Sequence, residues 1–396
     1  MAAAGEDWKK SLGFTDRLTA IQAIAAAYGR ASPSASYAEA QSQAKRYESE
    51  AYEKATSKEE YDRMCQEAID EAEATQSVAP VISSPKPAAE EPEEEFTEGG
   101  IDLGNYKHCR HHGDGLLSTV YRTRSEDGKL VALKVTTPHL MTAPHDAKRE
   151  VRILRDAASE NVIPLLESFD LSGGRLVMVF PFMKYNFDNL LHRENLTASQ
   201  IRSHLRDMFS ALAHLHSLGI IHRDVKPSNI LLSSPSGPAY LADFGIAWKE
   251  GDPSSEPATK KIIDVGTTCY RPPEILFGYK EYDTTLDLWA AGCVVAEAVS
   301  PNHRQLFDSG PLGSDLTLIQ SIFTTLGTPN EQVWPETAKL PDWGKVQFQE
   351  YPAKPWEEIL KGASTKARDL TSKLVRYASK ERLSAAEALN HPFFSI

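Results

Sequence analysis

Apolar residues recur at spacings of three and four through the start of the chain, which predicts amphipathic helices. Two stretches follow this spacing: Leu18, Ile21, Ala25 and Tyr28, then Ala44, Tyr47 and Ala51. A third helix is expected after a capping box, because Ser57 stands three residues before Glu60 and an apolar stripe follows. Residues 5–75 are therefore predicted to form a small three-helix bundle.

The helical pattern stops at an acidic, proline-rich stretch. Residues 77–100 contain four prolines and a run of acids, with almost no periodic apolar positions. Such a composition cannot bury enough apolar surface to fold. We therefore predict a flexible linker over residues 76–103.

Downstream of this linker the pattern changes twice. Period-two alternation runs from Thr119 to Val135, and Asp127 with Gly128 supplies a hairpin turn. Helical spacing returns after Thr197, which with Gln200 caps a helix. Residues 104–396 are thus expected to form an α+β domain of two lobes, a small β-rich lobe followed by a larger helical lobe.

Composition excludes several classes of partner. The net charge is -12, and the first 100 residues hold 20 acidic against 10 basic side chains, so no basic block favours direct nucleic-acid binding. Nothing in the sequence indicates binding to a membrane surface. A membrane span is not indicated either, because the longest apolar stretch, near residues 289–299, is short and contains Glu297. Four scattered cysteines and the lack of a signal pattern predict a cytoplasmic or nuclear protein.

A glycine-rich turn before the hairpin is the first candidate for chemistry. Gly113, Asp114, Gly115, Ser118 and Val120 form it, and glycine lets backbone N–H groups approach phosphate oxygens. An ordinary glycine turn is the simpler interpretation of these residues alone. The turn runs into a strand rather than a helix, which favours a hairpin flap over a dinucleotide-binding loop.

A lysine and a glutamate form the second candidate. Alternation in the strand Val131–Val135 leaves Lys134 pointing into the cleft between the lobes, where a cation can hold phosphates. Glu150 follows sixteen residues later in a helical stretch and could pair with Lys134. Either residue alone would more simply be read as a surface charge.

Two ordered motifs carry the specific signal: His222 to Asn229, and Asp243-Phe244-Gly245. Asp224 can accept a hydrogen bond from a substrate hydroxyl, and Lys226 can neutralise a transferring phosphoryl group. Asn229 and Asp243 offer the oxygen ligands that magnesium prefers. The motifs predict transfer of a phosphoryl group from Mg²⁺-bound ATP.

With these motifs the chain resembles eukaryotic protein kinases of the cyclin-dependent-kinase-like branch. By this resemblance, a lysine at position 226 indicates a Ser/Thr kinase rather than a Tyr kinase. The resemblance implies ATP and Mg²⁺ as cofactors, an adenine pocket, a buried ion pair and a central helix. It assigns Phe180 as gatekeeper, Pro181 to Met183 as the hinge, Ala132 and Leu231 as further pocket residues, Glu274 with Arg382 as the pair, and Asp287 to Trp289 as the start of the helix.

The segment from Asp243 to Glu274, the activation segment of that family, departs from the family pattern. By the resemblance its phosphoacceptor position holds Ile262, and Trp248 replaces one of three arginines that gather the phosphate. Arg149 and Arg223 remain. We expect a segment ordered without phosphate, with Asp264 as a possible electrostatic substitute, although Thr259 or Thr268 could still be modified.

These departures resemble the fungal single-subunit kinases that activate cyclin-dependent kinases. The residues before Glu150 also differ from the cyclin-binding helix of the branch, so a cyclin is not obviously required. The resemblance implies that the protein substrate is another kinase. A conventional cyclin-dependent or proline-directed kinase is an alternative, and a pseudokinase scaffold is another.

The N-terminal segment has a weaker resemblance of its own. Asp7 to Leu12, Tyr47 to Tyr52 and Ser57 to Tyr61 are similar to the KIX domain of the fungal Mediator tail subunit. That family implies binding of amphipathic activation-domain helices. A helical appendage or a fused segment without that role is the alternative.

Overall fold

The computed structural model describes residues 8, 17, 20, 21, 23, 24, 27, 28, 44, 47, 48, 50–52, 54–74, 99–115, 117–193, 196–310 and 313–395. The chain divides into two compact units, Met1–Pro92 and Glu93–Ile396, which are described separately. Among the helices in these described stretches, none is long and apolar enough to cross a membrane.

The first unit has a hydrophobic core of its own, which includes Ile24, Ala44, Ala51, Ala55, Tyr61, Cys65 and Ala68. Helix α1 (Lys58–Ala74) turns the predicted stripe toward this core. Its N-terminus is capped as expected by Ser57 Oγ, which accepts from Glu60 N–H at 3.2 Å. The Glu60 carboxylate, however, accepts from Thr56 N–H rather than from Ser57. Leu18 and Ala25 of the predicted first stripe lie outside the described residues.

A buried carboxylate joins the helices of this unit. Glu48 is only 1% exposed and accepts hydrogen bonds from Arg17 Nε at 2.6 Å and from Tyr61 Oη at 2.9 Å. The Arg17 guanidinium also lies over the Tyr52 ring, 3.8 Å from its centroid. Because a buried charge is costly without partners, these contacts fix how the described parts of the helices pack.

The second unit opens with a six-stranded antiparallel sheet in the order β1-β2-β3-β4-β6-β5. Its strands are β1 (Ile101–Leu103), β2 (Tyr106–Asp114), β3 (Ser118–Arg124), β4 (Leu130–Thr136), β5 (Glu167–Leu171) and β6 (Arg175–Pro181). The turn at Gly128 joins β3 to β4, as the sequence predicts. Residues 101–103, which the sequence analysis placed in the linker, instead pair with β2.

The helical lobe follows the sheet. Helix α2 (Ala147–Asp156) belongs to the first lobe, between β4 and β5. The helices of the second lobe are α3 (Phe187–Arg193), α4 (Ala198–Ser217), α5 (Pro273–Leu276), α6 (Thr285–Val299), α7 (Asp315–Leu326), α8 (Trp356–Ile359), α9 (Thr365–Leu374) and α10 (Ala385–Leu389). Short strands β7 (Tyr185–Asn186), β9 (Ile230–Leu232) and β10 (Ala239–Leu241) form one ribbon, and β8 (Ile220–Ile221) pairs with β11 (Trp248–Lys249).

Helix α6 lies at the centre of the helical lobe. Residues Leu286 to Ala298 are all buried. A helix that is apolar on nearly every side is stable only inside a core. Arg382 reaches its N-terminal turn and holds Glu274 through two bonds of 2.6 and 2.7 Å. The predicted central helix and the predicted Glu274–Arg382 pair are both confirmed.

Candidate active site

A cavity of about 550 Å³ lies between the sheet and the helical lobe. Every residue that the sequence assigned to nucleotide binding lines it: Gly113, Asp114, Gly115, Ser118, Val120, Ala132, Lys134, Phe180, Pro181, Met183 and Leu231. Glu150, Asn229 and Asp243 line it as well. Its size and mostly apolar walls suit a small molecule such as a nucleotide.

The glycine-rich turn forms the tip of the β2–β3 hairpin above this cavity. Gly115 N–H donates to Ser118 O at 2.7 Å, and a Cβ on Gly115 would lie 2.8 Å from Ser118 Oγ. A larger residue at 115 would therefore force the Ser118 hydroxyl to move. A Cβ on Gly113 would meet nothing within 4 Å, so glycine there leaves space on the cavity side.

Strand register sets the rest of the upper wall. The β4–β6 pairing places Ala132 opposite Phe180, and the β3–β4 pairing places Val120 opposite Lys134. Phe180 also packs against an apolar cluster that joins Ala147 and Val151 of α2 to Leu176 and Met178 of β6. The sequence did not predict His112 in this wall, and its ring packs edge to face on that of the hinge residue Phe182, with centroids 5.0 Å apart.

Lys134 is held between two carboxylates. Its Nζ donates to Glu150 Oε1 at 2.7 Å and to Asp243 Oδ1 at 2.9 Å. Burial would lower the pKa of Lys134, but the charges of Asp243 and Glu150 outweigh burial and raise it. The charge of Lys134 likewise holds the pKa of Asp243 well below its usual range. Lys134 and Asp243 are therefore both charged at neutral pH, whereas burial raises the pKa of Glu150.

Asp287 of α6 holds the loop that carries Asp224. Both oxygens of the buried Asp287 accept backbone hydrogen bonds, from His222 N–H and from Arg223 N–H, each at 2.9 Å. Arg223 has a φ of +71°, a conformation that costs energy and persists where the surroundings fix it. Helix α6 thereby fixes the backbone on which Asp224 stands.

Asp224 lies just outside the cavity wall, and its carboxylate meets polar groups of three residues. Its Oδ2 is 2.8 Å from Lys226 Nζ and accepts from Asn229 Nδ2 at 3.0 Å. Its Oδ1 accepts from Thr267 Oγ1 at 2.9 Å and from Thr267 N–H at 3.0 Å. Lys226 Nζ also donates to Thr267 Oγ1 at 2.8 Å. No sequence motif assigned a role to Thr267, although it lies in the activation segment, next to Thr268.

The residues predicted to ligate a metal fit a divalent cation. Asn229 commits its Nδ2 to Asp224, which leaves Oδ1 as its ligand atom. Asp243 gives Oδ1 to Lys134 and keeps Oδ2. One carboxylate and one amide oxygen at the cavity wall form the sparse oxygen set that magnesium uses when phosphates supply its other ligands.

In the activation segment, the expectation for Asp264 is wrong. Asp264 is exposed and pairs with Arg271 Nη2 at 2.7 Å, rather than with Arg149 or Arg223. Ile262, at the expected phosphoacceptor position, packs against an apolar cluster that includes Trp248, Val265 and Tyr282. The segment therefore uses Ile262 for packing, and Arg149 and Arg223 are met by a different anion, described below.

Family profiles and known proteins match both parts of the chain. The profile of the protein kinase domain matches residues 106–394, and that of the KIX domain matches residues 5–80. Cyclin-dependent kinase 20 of Danio rerio is 36% identical over 290 residues, which are 71% of this chain and 81% of that protein. Serine/threonine-protein kinase csk1 of Schizosaccharomyces pombe is 38% identical over 277 residues, 68% of this chain and 89% of that protein.

These matches confirm the resemblance to kinases of this branch and to a KIX domain, while the relation to the Mediator tail subunit stays a prediction. Use of ATP and of a divalent metal follows from the family, while the choice of magnesium stays a prediction. The chain belongs to the protein kinase family, as a Ser/Thr protein kinase of the cyclin-dependent-kinase-like branch with an N-terminal KIX domain.

Proposed function

We propose that this kinase phosphorylates the activation-segment threonine of other kinases, those of the cyclin-dependent type in particular. Support comes from the sequence resemblance to fungal single-subunit activating kinases and from the similarity to csk1. The observation that carries the proposal is that Glu150, Lys134 and Asp243 are already joined within this single chain. An arrangement that is complete within one chain is what an activating kinase without a cyclin of its own requires.

The residues around the cavity have separate tasks in this reaction. Asp224 accepts the hydrogen bond of the substrate hydroxyl and takes its proton as the oxygen bonds to the γ-phosphorus of ATP. The bond between that phosphorus and the β-phosphate oxygen breaks, and ADP leaves. Lys226 and Lys134 balance negative charge on the phosphates. A divalent cation, when bound by Asn229 and Asp243, supplies further charge neutralisation.

The test is direct phosphorylation of a catalytically inactive cyclin-dependent kinase by the purified chain, without any cyclin. Mass spectrometry should place the phosphate on the activation-segment threonine. A substrate with that threonine changed to alanine and an Asp224→Asn enzyme are the two controls. Phosphate found elsewhere, or incorporation only after a cyclin is added, would contradict the proposal.

One observation favours a second candidate, a proline-directed kinase. Gly266 O accepts a hydrogen bond from Arg271 Nε at 3.0 Å. The neighbouring Thr267 touches Asp224, so Gly266 lies close to where the residue after the phosphoacceptor would bind. With its carbonyl engaged, an incoming backbone N–H loses a partner, and a buried unpaired donor is costly. Proline carries no N–H and loses nothing.

Paired peptides that differ only in proline or alanine after the threonine test this candidate. A proline-directed enzyme should show a kcat/KM about tenfold higher for the proline peptide, the size of one lost hydrogen bond. Equal values would leave only the first candidate. The Arg271→Lys enzyme is the matched variant, because it keeps the charge and removes Nε from its place.

For the first unit we propose that the KIX domain binds amphipathic activation-domain helices. Its independent core and the match over residues 5–80 support a folded binding module. Fluorescence anisotropy with labelled amphipathic helical peptides measures binding to the full chain. A proline-broken peptide of the same composition is the control, and equal binding of both peptides would contradict the proposal.

A further inference from the structure

Two buried arginines from different lobes meet one glutamate. Arg149 on α2 is 2% exposed and Arg223, next to Asp224, is 1% exposed. Glu256 Oε1 lies 2.6 Å from Arg223 Nη2, and Glu256 Oε2 lies 3.8 Å from Arg149 Nη1. Buried guanidinium groups stay charged and require an anion close by, and Glu256 supplies it.

The activation segment is folded so as to present this glutamate. Trp248, which stands where the family resemblance expects a third arginine, donates from Nε1 to Glu256 O at 2.8 Å. Glu256 Oε1 also accepts from Ile262 N–H at 3.1 Å. The backbone and the side chain of Glu256 are therefore both fixed by the segment itself.

A second contact joins the same segment to the same helix. Arg152 Nε and Nη2 donate to the two oxygens of Asp252 at 2.7 and 2.8 Å. Arg149 Nη1 also donates to Ser254 O at 3.1 Å. Arg149 and Arg152 lie on either side of Glu150, so residues 252–256 of the segment hold the helix that supplies the partner of Lys134.

We propose that Glu256 is a positioning residue, an anion encoded in the sequence that ties α2 to the loop of Asp224 and keeps the site assembled without phosphorylation of the segment. A carboxylate carries one negative charge and two oxygens, against about two charges and three oxygens for a phosphate. Two arginines rather than three surround it here, so less positive charge has to be balanced than in the family pattern. The Nε atoms of Arg149 and Arg223 lack partners among the described residues, consistent with an anion smaller than phosphate.

This proposal rests on protein kinase activity and not on the choice of substrate proposed above. Activity is therefore measured on generic proteins such as casein and histone, so that failure with a cyclin-dependent kinase leaves the result unaffected. The enzymes compared are the full chain, Glu256→Gln, Glu256→Asp and Glu250→Gln. The last removes an equal charge from an exposed position in the same segment.

Glu256→Gln should lower kcat about tenfold or more, because both arginines lose their counter-charge. Hydrogen exchange should rise in residues 147–156 and 249–267 of this variant. Glu256→Asp should recover part of kcat, and Glu250→Gln should match the full chain. Phosphatase treatment of the full chain should leave kcat unchanged, with mass spectrometry confirming a phosphate-free segment.

Normal kcat and normal exchange in Glu256→Gln would overturn the proposal, as would a large loss of activity after phosphatase treatment. If Glu256→Gln fails to fold, as judged by thermal denaturation, two arms still decide. An Asp variant no more active than background, or a full chain inactivated by phosphatase, then rejects the role of Glu256. A partly active Asp variant with a phosphatase-resistant parent supports it.

Discussion

Thr267 shows how a single hydroxyl can organise the acceptor side of the site. Its Oγ1 lies between Asp224 Oδ1 and Lys226 Nζ, 2.9 and 2.8 Å away. Thr267→Val keeps the shape of the side chain and removes both hydrogen bonds. We expect kcat to fall about tenfold, because small misplacement of a catalytic group is expensive.

Steady-state kinetics check this expectation, and Thr267→Ser, which keeps the hydroxyl, is the matched control. The KM for ATP should not change, since Thr267 does not line the nucleotide cavity. A valine variant with the kcat of the serine variant would show that Thr267 has no positioning role.

Glu297 gives the protein a dependence of stability on pH. It is 1% exposed in α6, and burial raises the pKa of its carboxyl from 4.5 to about 7. Because the folded state holds the proton more tightly, this contribution to stability is fully present below pH 4.5 and is lost as the pH rises through about 7. The loss is on the order of 3 kcal/mol at most.

Glu297→Gln cannot ionise, so the variant should lack this slope. Denaturant unfolding between about pH 5 and about pH 8 should show the parent losing stability relative to the variant as the pH rises. A constant difference between the two proteins across that range would contradict the assignment.

Residues whose partners lie in short motifs could be predicted, and those whose partners depend on a loop path could not. Lys134, Glu150, Asp224 and Asp243 were assigned from spacing and motif before any geometry was known. The role of Glu256 could not be predicted, because its partner Arg223 is 33 residues away and the chain between them has no repeating pattern. Asp264 was offered as a possible substitute for the same reason, and it pairs with Arg271 instead.

At the scale of elements, the N-terminal cap of α2 links the stability of this helix to catalytic activity. Asp146 caps it by accepting from Arg149 N–H at 2.9 Å, and Asp146 N–H donates to Gly245 O at 3.1 Å. Asp146→Ala should destabilise the fold by about 1 kcal/mol, the usual cost of a lost cap. It should also lower kcat, because α2 carries Glu150.

Ser364→Ala is the matched control, since Ser364 caps α9, another helix of ten residues, with a single bond to Ala367 N–H. Both variants should lose similar stability in thermal denaturation, and only Asp146→Ala should lose kcat. Equal loss of kcat in the two variants would mean that activity follows overall stability instead.

The elements themselves were predictable where local signals were strong. The β3–β4 hairpin followed from alternation around Asp127 and Gly128, and the Thr197 capping box marked the start of α4. Strand β1 was missed because three residues after an acidic stretch carry no readable period. Its place is decided by pairing with β2, which is a tertiary contact.

At the scale of the whole molecule, the hydrophobic clusters described for residues 99–395 draw on that unit alone. Deletion of residues 1–92 should therefore leave the kcat on generic proteins and the melting temperature of the kinase unit unchanged. Binding of amphipathic peptides should be lost in the same protein. A truncated chain without kinase activity would show that the catalytic unit depends on the KIX domain.

Glu256 also sets the timescale on which this enzyme can be controlled. A charge written into the gene lasts as long as the polypeptide, whereas a charge added after synthesis can be taken away within minutes. Rapid signals must therefore act on access to the protein it modifies, and slower ones on synthesis and degradation of the chain. Such an enzyme stays active throughout its lifetime, and the time of phosphorylation depends on when its substrates become accessible.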